Sequence, residues 1–133
     1  MPATRSITQT VAVPASPSDV YDALVTAKLH AAFTQSAATG VARVGAKFTA
    51  WDGYIEAKNV ALTKGKRIVQ AWRTSEWPAG YPPSKLEIRL TKRGAGTSLT
   101  MVHSDVPASQ AAGYRQGWTE YYWQPLKAYF GAR

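Results

Sequence analysis

The chain has 133 residues, of which 45% are apolar and 18% charged, the size and composition of one folded domain (1–133). It contains no cysteine, which excludes a disulfide framework, a thiolate metal site and a thiol nucleophile. Sixteen basic residues against eight acidic ones give a net charge of +8, which favours acidic partners. The N-terminus lacks the apolar segment of a secretion signal, so we expect a cytoplasmic protein without membrane insertion.

The first forty residues predict a strand and two short helices. Residues 5–13 alternate between apolar and polar types, as strands with one buried face do. Ser16 then stands at a helix N-cap position, with Pro17 as the first helical residue and Asp19 near the positive end of the helix dipole. A second short helix is predicted over residues 28–34.

The middle of the chain predicts an antiparallel meander. Turn residues separate short alternating segments, above all Asp52-Gly53, which is typical of a two-residue hairpin, and Lys64-Gly65. A connection rich in proline and glycine over residues 77–83 is unsuited to a central strand. The strands are predicted at 41–44, 47–51, 54–63, 67–74, 85–92 and 97–105.

The last segment, residues 108–130, predicts one long amphipathic helix. Apolar and aromatic residues recur at helical spacing, at Ala111, Tyr114, Trp118, Tyr121/Tyr122, Leu126 and Tyr129. Each buried aromatic ring covers about 150–250 Å², so this stripe needs a broad apolar surface. We therefore predict an α+β fold, a curved antiparallel sheet of about six strands wrapped around a long C-terminal helix, with two short helices after the first strand.

Two features of this helix leave alternatives open. Gly113 and Gly117 each weaken a helix by about 1 kcal/mol relative to alanine, and Pro125 removes a backbone hydrogen bond and should bend the helix near Tyr121. One interpretation is a lid that moves over a cavity. The other, which we favour, is a fixed bend that fits a curved sheet, with the glycines allowing close approach of a strand.

The two faces of the predicted sheet differ in character. In the strand at 67–74, Ile68 and Trp72 share one parity, so Trp72 should face the helix while neighbouring arginines face water. The best-placed ring is then unavailable to stack on bases, and we expect no nucleic-acid partner. Four residues of the outer face are predicted to bind a protein partner: Arg67, Arg73, Lys85 and Arg89.

A cavity between sheet and helix is the second candidate site. Its lining could hold an apolar or aromatic molecule, or could equally be a filled core, since aromatic stripes at helical spacing are more often core than pocket. The candidate ligand-binding residues are Phe48, Trp51, Trp72, Leu86, Ile88, Met101, His103, Trp118, Tyr121 and Tyr122.

No pattern in the chain predicts catalysis. His30 lies among alanines on a short helix and is expected at the surface, whereas His103 shares parity with Met101 and should face the interior. No serine or carboxylate stands at a recognisable motif spacing from either histidine. We therefore expect no catalytic residues, no metal, no cofactor and no enzyme.

Four local strings resemble the activator of heat-shock protein 90 ATPase family, in its C-terminal domain. They are FTAWDG at 48–53, RIVQAWR at 67–73, WPAGY at 77–81, and GWTEYY at 117–122 followed by Leu126, Lys127, Phe130 and Gly131. The strings occur in order over nearly the whole chain. The helix string is the specific one.

This resemblance implies the helix-grip fold of START-like (SRPBCC) proteins and a stress-related, co-chaperone-like binding function. Its implied partner is a heat-shock protein 90-type chaperone. In eukaryotic members of this family a separate N-terminal domain does much of the stimulation of the chaperone ATPase. Because this chain begins at the first strand, the resemblance implies docking and leaves stimulation open. The alternative function is that of a carrier or sensor for a small hydrophobic ligand in the cavity.

Overall fold

The computed structural model describes residues 3–131. Strand β1 (Thr4–Val13) leads into helices α1 (Pro17–Val25) and α2 (Ala27–Thr34). Strands β2 (Thr39–Gly40), β3 (Lys47–Ala50), β4 (Ile55–Thr63), β5 (Arg67–Thr74), β6 (Ser84–Arg93) and β7 (Gly96–Pro107) follow. The C-terminal helix, residues 111–131, consists of α3 (Ala111–Gly117), a π-helical segment (Trp118–Trp123) and α4 (Gln124–Gly131).

The strands that the structure describes form one antiparallel sheet in the order β1-β7-β6-β5-β4-β3-β2. The predicted α+β class, the meander and the helix against the sheet are confirmed, with seven strands where about six were expected. The first strand, β1, pairs with the last strand, β7, and forms one edge of the sheet, while β2 forms the other edge. The helices therefore cover one face of the sheet, and the other face is open to water.

The start of α1 follows the predicted capping chemistry. The Ser16 hydroxyl accepts a hydrogen bond from the Asp19 backbone N–H at 3.1 Å, and Pro17 is the first helical residue. Its missing N–H costs nothing there, since the first turn of a helix has no internal partner for it. Helix α2 begins one residue before the predicted position and buries Phe33 against the core.

The strand predicted at 41–44 is wrong. These residues form a loop, because the Asn59 side chain donates to the backbone carbonyls of Val41 (3.2 Å) and Arg43 (3.3 Å) and so takes the place of a partner strand. Val41 and Val44 are 57% and 56% exposed. The strand in this region is Thr39–Gly40 instead, and Gly40 is required there, since a Cβ would lie 2.6 Å from the carbonyl oxygen of Lys47.

The closing helix begins at Ala111, three residues later than predicted. Strand β7 continues to Pro107 because Val106 and Pro107 still pair with β1, and the turn that follows is closed by a hydrogen bond from Gln110 N–H to the Pro107 carbonyl. Within residues 3–131, no helix has the length and apolar character needed to cross a membrane.

Candidate binding cleft and basic sheet face

A continuous hydrogen-bond chain joins the C-terminal helix to the centre of the sheet. The Trp118 indole N–H donates to Nδ1 of His103 at 3.1 Å, and Nε2 of His103 lies 2.7 Å from the Ser84 hydroxyl. That hydroxyl donates to the Trp72 carbonyl at 2.7 Å. Since Nδ1 accepts, the hydrogen-bond pattern assigns the proton of the neutral ring to Nε2. Both ring nitrogens of His103, the Trp118 indole nitrogen and the Ser84 hydroxyl then each have a hydrogen-bond partner.

His103 is fully buried, as its parity predicts, and is part of the core. Burial lowers the pKa of His103 to about 3, because a charged imidazolium would lose its hydration without gaining a counter-ion. The ring is therefore neutral at ordinary pH and lies edge-on to Trp72 at a centroid distance of 4.6 Å. These contacts give His103 the role of holding Trp118 in place.

The prediction that His30 lies at the surface is wrong. The ring is only 2% exposed and is surrounded by aromatic rings, with centroids 5.1 Å from Phe33, 5.3 Å from Phe48 and 5.3 Å from Tyr122. Burial lowers the pKa of His30 to about 4, and its Nδ1 atom has no hydrogen-bond partner among the described residues. The alanines beside it misled the prediction, because α2 packs this face under the C-terminal helix.

The π-helical segment decides which aromatic side chains face the sheet. Trp118 and Trp123 are stacked at 16° with centroids 5.3 Å apart, and both are buried. The two residues are five positions apart, a spacing that brings side chains to one side of a π-turn and not of an α-helix. Tyr121, which helical spacing predicted to face the sheet, is 56% exposed as a result.

Pro125 is the sequence signal that could have indicated the π-turn. Proline has no N–H to donate to the carbonyl four residues earlier, so the regular helical pattern is interrupted here. The Gln124 N–H bonds to the Thr119 carbonyl five residues back instead. At the position where a bend was predicted, near Tyr121, the helix changes from α-helical to π-helical hydrogen bonding.

Gln9 of β1 fastens the same segment to the sheet edge. Its amide nitrogen donates to the Arg115 carbonyl (3.0 Å) and the Thr119 hydroxyl (3.3 Å), and its amide oxygen accepts from the Trp123 indole N–H (2.7 Å). Together with the His103 contact, this bond fixes the two stacked indoles at both ends. These bonds hold the helix against the sheet as one wall of the space beside it.

An open cleft of about 640 Å³ lies between this wall and the turn that joins β3 to β4. Its volume is within the range of sites that hold small organic molecules. The predicted residues that line it are Trp51, Trp72, Trp118, Tyr121 and Tyr122. Residues that the sequence analysis did not propose also line it: Tyr54, Ile55, Glu76, Ser109, Gln110, Gly113, Tyr114 and Gly117.

The other proposed ligand-binding residues lie deeper. Phe48, Leu86 and Ile88 border a separate void of about 20 Å³, which has room for a single water molecule. Met101 and His103 line neither space and are fully buried. The interior between sheet and helix is thus largely a packed core. The accessible space lies beside it, at one end of the sheet.

Trp51 occupies the cleft wall with an unusual backbone. Its φ angle is +53°, a left-handed conformation that bulky residues rarely adopt, in the turn after β3. The ring lies edge-on to Tyr121 and Tyr122, with centroids at 5.6 and 6.3 Å. Its indole nitrogen is buried without a partner of hydrogen-bond geometry, and the neighbouring Tyr122 hydroxyl has its pKa raised by burial.

A polar rim closes the opposite side of the cleft. The Tyr54 hydroxyl donates to Oε2 of Glu76 at 2.6 Å, and burial, reinforced by this contact, raises the pKa of Tyr54. The Gln110 amide donates to the Glu76 backbone carbonyl at 2.9 Å. The Tyr114 hydroxyl lies 2.7 Å from the Thr74 hydroxyl. These contacts come from separated segments, so sequence spacing gave no signal for them.

Gly113 and Gly117 face the cleft from α3. A Cβ on Gly113 would meet no atom within 4 Å, and one on Gly117 would meet only the Tyr121 ring at 3.8 Å. Close approach of a strand, the explanation favoured from the sequence, is therefore not what these glycines provide. They leave the cleft open on the helix side.

The four residues predicted to bind a partner lie on the outer sheet face. Arg67 and Arg73 alternate with the buried Ile68 and Trp72, and cross-strand pairing places Lys85 beside Ala71 and Arg89 beside Arg67. Glu87 accepts from Nε of Arg67 (2.7 Å) and Nε of Arg89 (3.0 Å), which relieves repulsion between these arginines. The hydrogen bond from Arg67 is the main reason that the pKa of Glu87 is lowered.

A curved antiparallel sheet packed against a long C-terminal helix, with two short helices after its first strand, defines the helix-grip, START-like class of domain. A family model described as "Activator of Hsp90 ATPase homolog 1-like protein" matches residues 14–131. The chain therefore belongs to the activator of Hsp90 ATPase family.

Curated relatives and solved structures agree with this assignment. The chain is 35% identical over 116 residues to the human activator of 90 kDa heat shock protein ATPase homolog 1, covering 87% of this chain and 34% of that protein. It is 31% identical to the Dictyostelium discoideum homologue over 88% of this chain and 30% of that one. The chain thus spans about a third of the length of the curated relatives that it matches.

The fold is shared with an HSP90 activator from Plasmodium falciparum whose crystal structure is known. The two superpose with a TM-score of 0.87 over 95% of this chain and 96% of that chain, at 21% identity.

Proposed function

We propose that this domain is a non-enzymatic, co-chaperone-type module, located in the cytoplasm, that docks on an acidic surface of an Hsp90-type chaperone. Membership of a family named for activating an ATPase, and not for catalysis of its own, supports the proposal most directly. The lack of cysteine suits a reducing compartment. The proposed role is docking alone, because the chain spans only about a third of the length of the relatives named as activators.

The outer face of β5 and β6 is the docking surface in this proposal. Arg73 and Lys85 are exposed there, and no ion pair of the described residues engages either side chain. Arg67 and Arg89 share a single carboxylate, so their pair keeps a net positive charge. A cationic face of this kind attracts acidic surfaces and speeds encounter with them.

Charge reversal on this face tests the proposal. We expect Arg73→Glu with Lys85→Glu to weaken binding of a purified Hsp90-type chaperone at least about tenfold in calorimetric titration, since both charges change sign at the interface. These two residues are preferred to Arg67 and Arg89, whose reversal would leave Glu87 among like charges. Binding by the unmodified protein should also weaken when salt rises from about 50 to 200 mM.

A matched control separates local from overall charge. Arg115→Glu with Lys127→Glu changes the net charge by the same amount at exposed positions of the C-terminal helix, on the other side of the sheet. This variant should retain nearly full affinity. Equal loss in both variants, or unchanged affinity in the first, would contradict docking through the outer face.

A further inference from the structure

The cleft beside the C-terminal helix combines an aromatic lining with a charge environment unlike that of the rest of the protein. Trp51, Trp72, Trp118 and Tyr122 present ring surface to its floor and walls, and Tyr121 lies at its mouth. The π-helical segment and the left-handed backbone of Trp51 both border it. Such irregular backbone is concentrated at functional sites, where it places particular side chains.

Glu76 is the charged side chain of this lining. Lysine and arginine are absent from the residues that line the cleft in the described part of the chain, although the protein as a whole carries +8. The Tyr54 hydroxyl donates to Oε2 and so orients the exposed Glu76 carboxylate, while Gln110 holds the Glu76 backbone carbonyl. No hydrogen bond or ion pair between described residues uses Oε1.

From this arrangement we propose that the cleft binds a small organic cation with an aromatic or other apolar body. The body fills the space between the indole and phenol rings, and the positive charge is stabilised by ring faces and by Oε1 of Glu76. Cation–π contacts contribute most where the cation is partly desolvated, as it is between packed rings. An anionic amphiphile of the same size would bring its charge toward the Glu76 carboxylate, which repels it.

This inference uses a site distinct from the outer sheet face. The cleft lies on the helix-covered side of the sheet, so ligand binding and chaperone docking can be tested independently. Failure of one leaves the other standing.

Three naphthalene probes of similar size test the charge preference. They are 2-naphthylmethylamine, which is cationic at about pH 7.5, the neutral 2-naphthalenemethanol and the anionic 2-naphthoate. We expect calorimetric titration to show the amine binding about tenfold more tightly than the alcohol, and the carboxylate most weakly. Glu76→Gln should reduce the difference between amine and alcohol to about twofold or less.

Glu120→Gln is the control for charge. Glu120 is an exposed residue of the C-terminal helix. It is hydrogen-bonded to Gln116 and does not line the cleft. This variant should keep the preference for the amine. Loss of the preference in both variants would show a general charge effect and would overturn the role of Glu76.

A second variant locates the binding. Gly113→Leu places a side chain into open cleft space without a backbone clash, and leucine is the better helix former. We expect it to abolish binding of all three probes with an unchanged or higher Tm. Ala112→Leu, exposed on the same helix outside the cleft lining, should leave binding intact. The proposal is overturned if no probe binds up to about 1 mM, if the anion binds as well as the amine, or if Gly113→Leu retains binding.

Discussion

The two buried histidines make stability depend on pH between about pH 8 and pH 5, a range in which exposed carboxylates stay largely ionised. The pKa of His30 is lowered to about 4 and that of His103 to about 3 by burial, whereas an unfolded histidine has a pKa of about 6.5. Between these values the unfolded chain binds protons that the folded chain does not. Stability is therefore fully present above about pH 6.5 and falls as pH decreases toward the folded pKa values.

The size of the effect follows from linkage. At about pH 5 each histidine should cost about 2 kcal/mol of unfolding free energy relative to about pH 8, and the pair about 4 kcal/mol. Glu87 adds little in this window, because hydrogen bonding to Arg67 lowers its pKa and its carboxylate stays ionised. Most domains have only about 5–15 kcal/mol to lose, so the change is large.

The substitution His30→Phe separates the contribution of His30 to the pH dependence of stability from that of His103. The substitution preserves the ring contacts with Phe33, Phe48 and Tyr122, removes the unpartnered Nδ1 atom, and has the neighbouring 20 Å³ void to accept extra volume. We expect it to raise stability by about 1 kcal/mol at about pH 8 and to halve the pH dependence.

Urea unfolding at about pH 8 and pH 5, followed by circular dichroism, measures both quantities. Two results would refute the reasoning. One is a wild-type difference below about 1 kcal/mol between the two pH values. The other is a His30→Phe variant with the full wild-type pH dependence, which would mean that His30 is not the buried titrating group.

Two further predictions concern the bonds that fix the helix. Gln9→Ala leaves the buried Trp123 N–H without its acceptor and should cost about 1–3 kcal/mol, measured as a fall in Tm of roughly 3–5 °C per kcal/mol. Thr8→Ala, on the exposed side of the same strand, is the control and should cost less than about 0.5 kcal/mol. Ser84→Ala removes the partner of Nε2 of His103 and should cost about 1–3 kcal/mol by the same assay. An unchanged Tm in either buried variant would show that the corresponding indole or imidazole proton finds another acceptor.

Local chemistry explains why much of the fold could be predicted. The cap at Ser16, the proline after it and the alternation through Ile68 and Trp72 each depend on residues within a few positions, and each is present in the structure. The failure at 41–44 has a non-local explanation. Alternating valines are typical of a strand, but a distant side chain, Asn59, satisfies the backbone of that segment instead.

The candidate sites show where such prediction ends. Arg67, Arg73, Lys85 and Arg89 could be placed on one face because strand alternation alone decides which way a side chain points. The cleft could not be predicted in this way. Glu76 lines it only because the segment after β5 meets both the turn before β4 and the start of α3.

The amino-acid sequence by itself determined the class of fold, the capped first helix and the basic outer face, because these follow from spacing and from charge. Tertiary structure decided that Trp123 replaces Tyr121 against the sheet, that His30 is buried, and that the accessible space lies at one end of the sheet. For the exchange of Trp123 and Tyr121, the physical reason is that a π-turn changes the direction in which its side chains point. Whether a chain forms such a turn depends on bonds to distant residues such as Gln9.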